Sequence, residues 1–250
     1  TQGDVMVATG SSTLVMESAV ISTVSGSVLN LTNGAFSDRW HSISKSLGKD
    51  SDKIAFPWGE AIDPDVVKKA LERKRYDAVT LVHNETSTGV MSPLAEVAKA
   101  IREASDALVI VDTVSSLGGA PVETDDWGID ITLAGTQKAL ALPPGLAVFS
   151  LSDRAAVDAL VVRVRSFLAA NGSIETAAYK ELTGTTRRTT VPLMELLDEL
   201  KVTRRDGDRR VMTDPATKQE LSRLGVKIIN WKEFRRVTNS KNETTDAIAK

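Results

Sequence analysis

The chain has 250 residues, 42% hydrophobic and 26% charged, with a formal net charge of −2, ordinary values for one large or two small globular domains. It has no cysteine and only two histidines, His41 and His83, which excludes disulfides, thiolate chemistry and Cys- or His-built metal sites and fits a cytoplasmic protein. Charge is uneven: from residue 161 onward there are 18 Lys and Arg against 12 Asp and Glu, a net +6, leaving −8 for residues 1 to 160, so the C-terminal part is the one suited to a polyanionic partner.

The start, Thr1-Gln2-Gly3-Asp4, has neither the basic nor the apolar region of a leader, and no apolar run approaches the ~20 residues of a membrane helix. The absence of an initiator Met suggests a chain cut from something longer. Asp4 to Ala8 reads as a strand, followed by Thr9-Gly10-Ser11-Ser12-Thr13 and then apolar residues at helical spacing from Leu14 to Ile21. A strand, a small-residue turn and a helix N-terminus offer free N–H groups and hydroxyls to an anion, so the turn is either a phosphate seat or a helix cap. Ser27 to Leu31 is a second strand, ending in the turn Asn33-Gly34; Phe36 then opens a helix to about Leu47, as a ring that stacks on a ligand or as a core contact. Lys53 to Pro57 is strand-like, and Asp63-Pro64-Asp65 opens a helix over Val66 to Lys74.

Ala78 to Val82 is a near-continuous apolar run, as expected of a strand buried on both faces. It ends in the polar stretch His83-Asn84-Glu85-Thr86-Ser87-Thr88-Gly89-Val90, and Pro93 opens the helix Leu94 to Ala104. Ala107 to Val111 is a further buried strand and delivers Asp112, a carboxylate that is costly at an apolar strand tip unless something cationic meets it; a turn or cap role is the alternative. Ile129 to Leu133 then delivers Lys138 into the turn Gly135-Thr136-Gln137-Lys138-Ala139-Leu140, and Pro143-Pro144-Gly145 turns the chain into the apolar run Leu146 to Phe149. Where little water reaches it, such a lysine can be neutral near pH 7 and attack a carbonyl; in solvent it is an ordinary surface lysine.

Strand and helix alternate from residue 4 to about 150, which predicts an α/β fold: a mostly parallel sheet with helices on both faces. Every polar residue named above follows a strand, where open α/β sheets bind ligands. A phosphate seat, a flat aromatic, an acid and an amine on one sheet edge together describe pyridoxal 5'-phosphate. Residues 1 to 155 also resemble the large domain of class V, fold-type I aminotransferases, nearest the alanine/serine–glyoxylate or pyruvate group. The blocks that carry the resemblance are Thr9 to Thr13 with Met16-Glu17, Thr32 to Gly34, His83 to Val90, Val111-Asp112 with Ser116 to Gly119, and Gly135 to Leu140 with Pro143 to Gly145. It implies that Lys138 forms the Schiff base and moves the proton between substrate and cofactor, and that Asp112 pairs with the pyridinium nitrogen. It further implies Ser11, Ser12, Thr13 and Gln137 on the phosphate, Phe36 stacked on one ring face where many relatives carry Trp, Val114 on the other, and Thr86 at the phenolic oxygen. Small amino acid and 2-oxo acid substrates and a homodimer follow from the same resemblance. The family's N-terminal segment and its small domain with the carboxylate-binding arginine find no counterpart. The expectation is a truncated cofactor half with impaired turnover, in a chain that is a fusion, a fragment or an artefact of assembly.

Past Asp153 the family resemblance fades. Ala155 to Leu168 has helical spacing closed by Asn171-Gly172, Ser173 to Tyr179 starts a second helix, and Val191 to Leu200 forms a third. Lys201 to Arg205 and Asp208 to Met212 flank Asp206-Gly207 as a hairpin, so residues 156–212 read as a small α+β winged helix. Residues 158–212 resemble the C-terminal winged-helix module of the bacterial selenocysteine-specific elongation factor, through Leu182 to Arg188, Pro192 to Asp198 and Val202 to Val211. The resemblance implies RNA-hairpin contacts from Arg187, Arg188, Arg204, Arg205, Arg209 and Arg210, with shape doing most of the reading. The alternative is a solvated face in which Asp206 and Asp208 balance the arginines. In the extension 213–250, Pro215 to Leu224 reads as a helix and Val226 to Ile229 as a strand, with no function assigned.

Overall fold

The computed structural model describes residues 1–213 and divides into two compact units, Thr1–Asp158 and a second beginning at Ala159. The helix and strand expected beyond Pro215 lie outside the described residues. Among the described residues no helix is long and apolar enough to cross a membrane.

In the first unit, strands β1 (Val5–Thr9), β2 (Ser27–Thr32), β3 (Asp50–Ala55), β4 (Ala78–Val82), β7 (Leu108–Asp112), β8 (Ile131–Gly135) and β9 (Leu146–Leu151) form one sheet in the order β1-β9-β8-β7-β4-β2-β3. The pairs β2–β3, β2–β4, β4–β7 and β7–β8 are parallel, and β9 runs antiparallel between β8 and β1. The alternation of elements thus reports the parallel core correctly, while the single reversed strand follows from the short return through Pro143-Pro144-Gly145. A two-residue ladder, β5 (Asn84–Glu85) with β6 (Val90–Met91), was not expected.

The helices cover both faces because strand residues alternate between them. Val15, Met16 and Val20 of α1 (Ser12–Thr23) and Trp40 and Ile43 of α2 (Ala35–Ser46) pack on Val28, Ala78, Ile110 and Leu133. Val67 and Leu71 of α3 (Pro64–Arg73) and Val97 and Ile101 of α4 (Leu94–Ala104) pack on Leu29, Val79, Leu81 and Val109. Strands β4, β7 and β8 are buried along their whole length, which is why they read as continuous apolar runs. Asp130, one residue before β8, is buried and tied down by the Arg102 guanidinium, Val109 N–H (2.8 Å) and Ser152 Oγ (2.8 Å).

Helix α5 spans Asp153–Asn171, and the division between units falls inside it. The second unit continues with β10 (Ser173–Glu175), α6 (Thr176–Thr183), α7 (Arg187–Glu199), β11 (Thr203–Asp206) and β12 (Arg209–Met212). Its strands form an antiparallel sheet in the order β10-β12-β11. Ser173 to Glu175, expected to begin a helix, is a strand, because it pairs with β12 rather than following its local propensity. Leu168, Ile174, Tyr179, Met194, Leu197 and Val202 are buried within this unit.

Candidate functional site

The C-terminal ends of β4, β7 and β8 and the N-termini of α1 and α2 carry the residues singled out in the sequence. Asp112 ends β7 at 6% exposure. Among the described residues its carboxylate accepts one hydrogen bond, from Val114 N–H at 2.8 Å. Burial pushes its carboxyl up to about 6 against that one N–H; the negative charge of Glu85 adds to the rise and Arg39 opposes it. Such an acid is held short of a cation. Val114, half-buried, is positioned by that same bond.

From Val114 a chain of contacts runs round the site. The next residue, Ser115, accepts a hydrogen bond from Thr86 Oγ1 at 3.0 Å and donates to the Asn84 carbonyl at 2.9 Å, which places Thr86 beside the β7 end. Glu85, directly before Thr86, is fully buried. Its carboxylate accepts from Ser37 N (2.8 Å), Ser37 Oγ (2.9 Å), Ser87 Oγ (2.7 Å), Ser87 N (3.2 Å) and Phe36 N (3.3 Å). Burial alone raises the Glu85 carboxyl, but these bonds together outweigh it and hold the group below its ordinary value. Phe36, the second residue of α2, is 36% exposed, and the Arg39 guanidinium lies 5.6 Å from the centre of its ring. Arg39 Nη1 in turn donates to Thr13 Oγ1 at 3.3 Å, which joins the ring to the first turn of α1.

At that turn the phosphate-seat and helix-cap readings fall to different serines. Ser11 caps α1, its hydroxyl accepting from Leu14 N at 3.4 Å. Among the described residues Ser12 Oγ is buried and has no hydrogen-bond partner. A Cβ built on Gly135 would lie 2.5 Å from Ser12 Oγ and 2.7 Å from Gln137 Oε1, so both side chains converge on the space above this glycine. An orphaned hydroxyl, an amide and a helix N-terminus at one point suit a phosphate group. A buried carboxylate lacking a cation suits a protonated ring nitrogen. The residues therefore fit pyridoxal phosphate.

Lys138 corrects the sequence reading in one respect: it is exposed, not shielded from water, as is Gln137. The turn 136–140 stands past the sheet edge. Its Ala139 and Leu140 come within 3.4 Å and 3.3 Å of a Cβ built at Gly118, so one side rests on the Ser116–Gly119 loop and the other is open. The turn is held at its base, where Thr136 Oγ1 donates to the Pro143 carbonyl at 2.7 Å and Gly10 N to the Gly145 carbonyl at 2.8 Å. Glu85 and Arg39 were missed as site residues. Their signal in the sequence was of position alone: Arg39 lies one helical turn after Phe36, and Glu85 sits in the polar stretch that follows β4.

In the second unit Arg204 and Arg205 are exposed, and Arg205 Nε donates to the Gly207 carbonyl at 2.9 Å. Arg209 pairs with Glu175 at 3.1 Å, and Arg210, 11% exposed, pairs with Asp198 at 2.7 Å. The hairpin arginines thus do not form one free face, and their anionic partners are Glu175 and Asp198 rather than Asp206 and Asp208. Arg187 and Arg188 lie in the first turn of α7.

Comparisons with known proteins complete the picture. A family model described as aminotransferase class-V matches residues 8–232, running past Asp153, where the resemblance was expected to end. An uncharacterized aminotransferase of Methanocaldococcus jannaschii is 42% identical over 160 residues, 62% of this chain and 41% of that protein. The L-aspartate–glyoxylate aminotransferase of Paracoccus denitrificans is 38% identical over 161 residues, 62% of this chain and 41% of that protein. Among solved structures, an alanine–glyoxylate aminotransferase from Nostoc sp. superposes with a TM-score of 0.61 at 36% identity, covering 64% of this chain and 43% of that one. The match spans about two fifths of the length of each of these two curated relatives.

Proposed function

The chain belongs to the class V aminotransferase family, whose cofactor is pyridoxal 5'-phosphate, and from that premise we propose that it exchanges the amino group of a small amino acid, alanine or serine, with glyoxylate or pyruvate. What carries the cofactor part of the reading is the run of hydrogen bonds, chain neighbours and one ring contact from Asp112 through Val114, Ser115, Thr86, Glu85, Phe36 and Arg39 to Thr13, with Ser12 and Gln137 converging over Gly135; the substrate class rests on the similar glyoxylate aminotransferases.

When bound, the cofactor supplies an aldehyde that amino groups condense with and a conjugated ring that accepts the electrons released at the substrate's Cα. Ser12, Thr13, Gln137 and the α1 N-terminus would hold its phosphate, with Ser11 keeping the helix start in place. Asp112 would accept the ring N–H and keep that nitrogen protonated, which its buried setting favours. Phe36 and Val114 would pack on the ring, and Thr86 would supply a hydroxyl to its phenolic oxygen. Lys138 would anchor the cofactor through Nζ and, with its amine free, would hold and move a proton at the substrate's Cα as a general base. Its exposed turn leaves the amine room to move. Pyridoxal phosphate added to the wild-type chain produces a visible-region band that borohydride removes, and Lys138→Ala abolishes it. A wild-type chain giving no such band overturns the reading. Alanine-to-glyoxylate turnover then reads how much of the reaction this chain performs alone.

A second reading concerns the unit beginning at Ala159. We infer that it is a winged helix that holds an RNA hairpin. The helix-strand-helix-helix-strand-strand order and the exposed hairpin arginines Arg204, Arg205 and Arg209 support it. Binding of a labelled hairpin RNA then falls steeply with added salt and weakens in Arg204→Ala; a salt-independent signal counts against it.

A further inference from the structure

We propose that Glu85 is a positioning residue that fastens two separate segments into one preset jaw of the cofactor site: the α2 N-terminus, which carries Phe36, and the loop after β4, which carries Thr86. The inference rests on the cofactor reading above.

Helix N-termini are ordinarily capped by a Ser, Thr, Asp or Asn within the turn itself. Here the carboxylate comes from 48 and 49 positions along the chain and accepts from the N–H of Phe36 and Ser37. It simultaneously binds both the N–H and the hydroxyl of Ser87 in its own loop. Ser87 Oγ also accepts from Ala35 N at 2.9 Å, so the loop and the helix start are joined twice. Glycine at position 34 is required for this approach: a Cβ there would sit 2.4 Å from Glu85 Cγ and 2.6 Å from Ser87 Oγ. A fully buried carboxylate is an expensive cap. What the arrangement achieves beyond capping is the fixed spacing of a ring and a hydroxyl, the two groups that must meet one flat ligand at once.

The charge has a second consequence. The groups that act on the Asp112 carboxyl are the Val114 N–H, Glu85 and Arg39; the His83 ring is turned away to Ser116 Oγ at 2.9 Å. Glu85 is the like charge in that set, so it favours the proton on Asp112 until a cation arrives.

Pyridoxal phosphate binding is titrated by absorbance between pH 5 and 8 for the wild type, Glu85→Gln, Gly34→Ala and Ser87→Ala, with thermal unfolding followed in parallel. Glu85→Gln and Gly34→Ala are expected to weaken binding about tenfold at pH 7, and Ser87→Ala about threefold, while the chains remain folded. The low-pH midpoint of binding moves down in Glu85→Gln, which loses the charge, and stays in Gly34→Ala, which keeps it. Should the wild type bind and all three folded variants match it in affinity and midpoint, the jaw is wrong although the cofactor reading stands. Loss of thermal stability with unchanged affinity in the folded fraction likewise makes Glu85 merely structural. A wild type that does not bind removes both.

Discussion

Asp112 and Asp130 are buried carboxylates at opposite ends of neighbouring parallel strands, and they are treated oppositely. Asp130 precedes β8 and is met by a guanidinium, a backbone N–H and a hydroxyl. Asp112 ends β7 and is met by one N–H. The first ties α4, β7 and β8 together and has nothing left to offer a ligand. The second keeps an unmet demand for positive charge at the sheet edge where ligands bind in folds of this kind. The contrast separates a carboxylate that holds the fold from one that the fold holds in readiness, at a cost in stability.

That contrast breaks most sharply at Arg102. Arg102→Ala leaves the Asp130 carboxylate buried without its cation, and the expected loss is about 3 to 5 kcal/mol of unfolding free energy, measured by urea titration. If stability changes by less than about 1 kcal/mol, Asp130 is not the structural member of the pair.

The opposite sign is expected at the other end. Asp112→Asn keeps an oxygen for Val114 N–H and removes the buried charge, so it should stabilise the chain without cofactor by on the order of 2 kcal/mol at pH 7 while weakening pyridoxal phosphate binding. The pH dependence has a definite direction, because the folded-state value is about 6 against an ordinary 3.8. Between these values the folded chain holds a proton that the unfolded chain has released. The contribution is therefore favourable below about pH 4, is lost as pH rises to about 6, and stays lost above. Unfolding curves at pH 4, 5, 6 and 7 should show this decline in the wild type and not in Asp112→Asn. Saturation with pyridoxal phosphate should flatten it, since the ring N–H meets the charge.

How much of this was legible depended on whether the cause was local. Ala78 to Val82 and Leu94 to Ala104 were read with the bounds the structure has, because an apolar run and a proline at a helix start leave little choice. Residues Ser173 to Glu175 were misread because their strand exists only through pairing with β12. In the site, Ser12, Asp112, Thr86 and Gln137 were visible as polar residues following strands. The exposure of Lys138 was not, since a strand tip says where a side chain starts and nothing about what covers it. Glu85 and Arg39 escaped for a related reason. Their partners, Ser37 and Thr13, lie 48 and 26 positions away, and one sequence does not reveal that distance closing.

The smallest expected effect tests the phosphate end, where the site again relies on an unmet polar group. Gly135→Ala places a methyl where Ser12 Oγ and Gln137 Oε1 now converge. Both are ends of side chains that can swing aside, so the strand should survive, with unfolding free energy within about 1 kcal/mol of wild type. The displaced groups are those that would meet the phosphate, so pyridoxal phosphate should bind about tenfold more weakly, a loss of ~1.4 kcal/mol. Pyridoxal, which lacks the phosphate, should bind the variant and the wild type alike, because Asp112, Phe36 and Lys138 are untouched. Equal weakening of both compounds would place the damage at the ring or the lysine instead, and would move the phosphate seat away from Ser12.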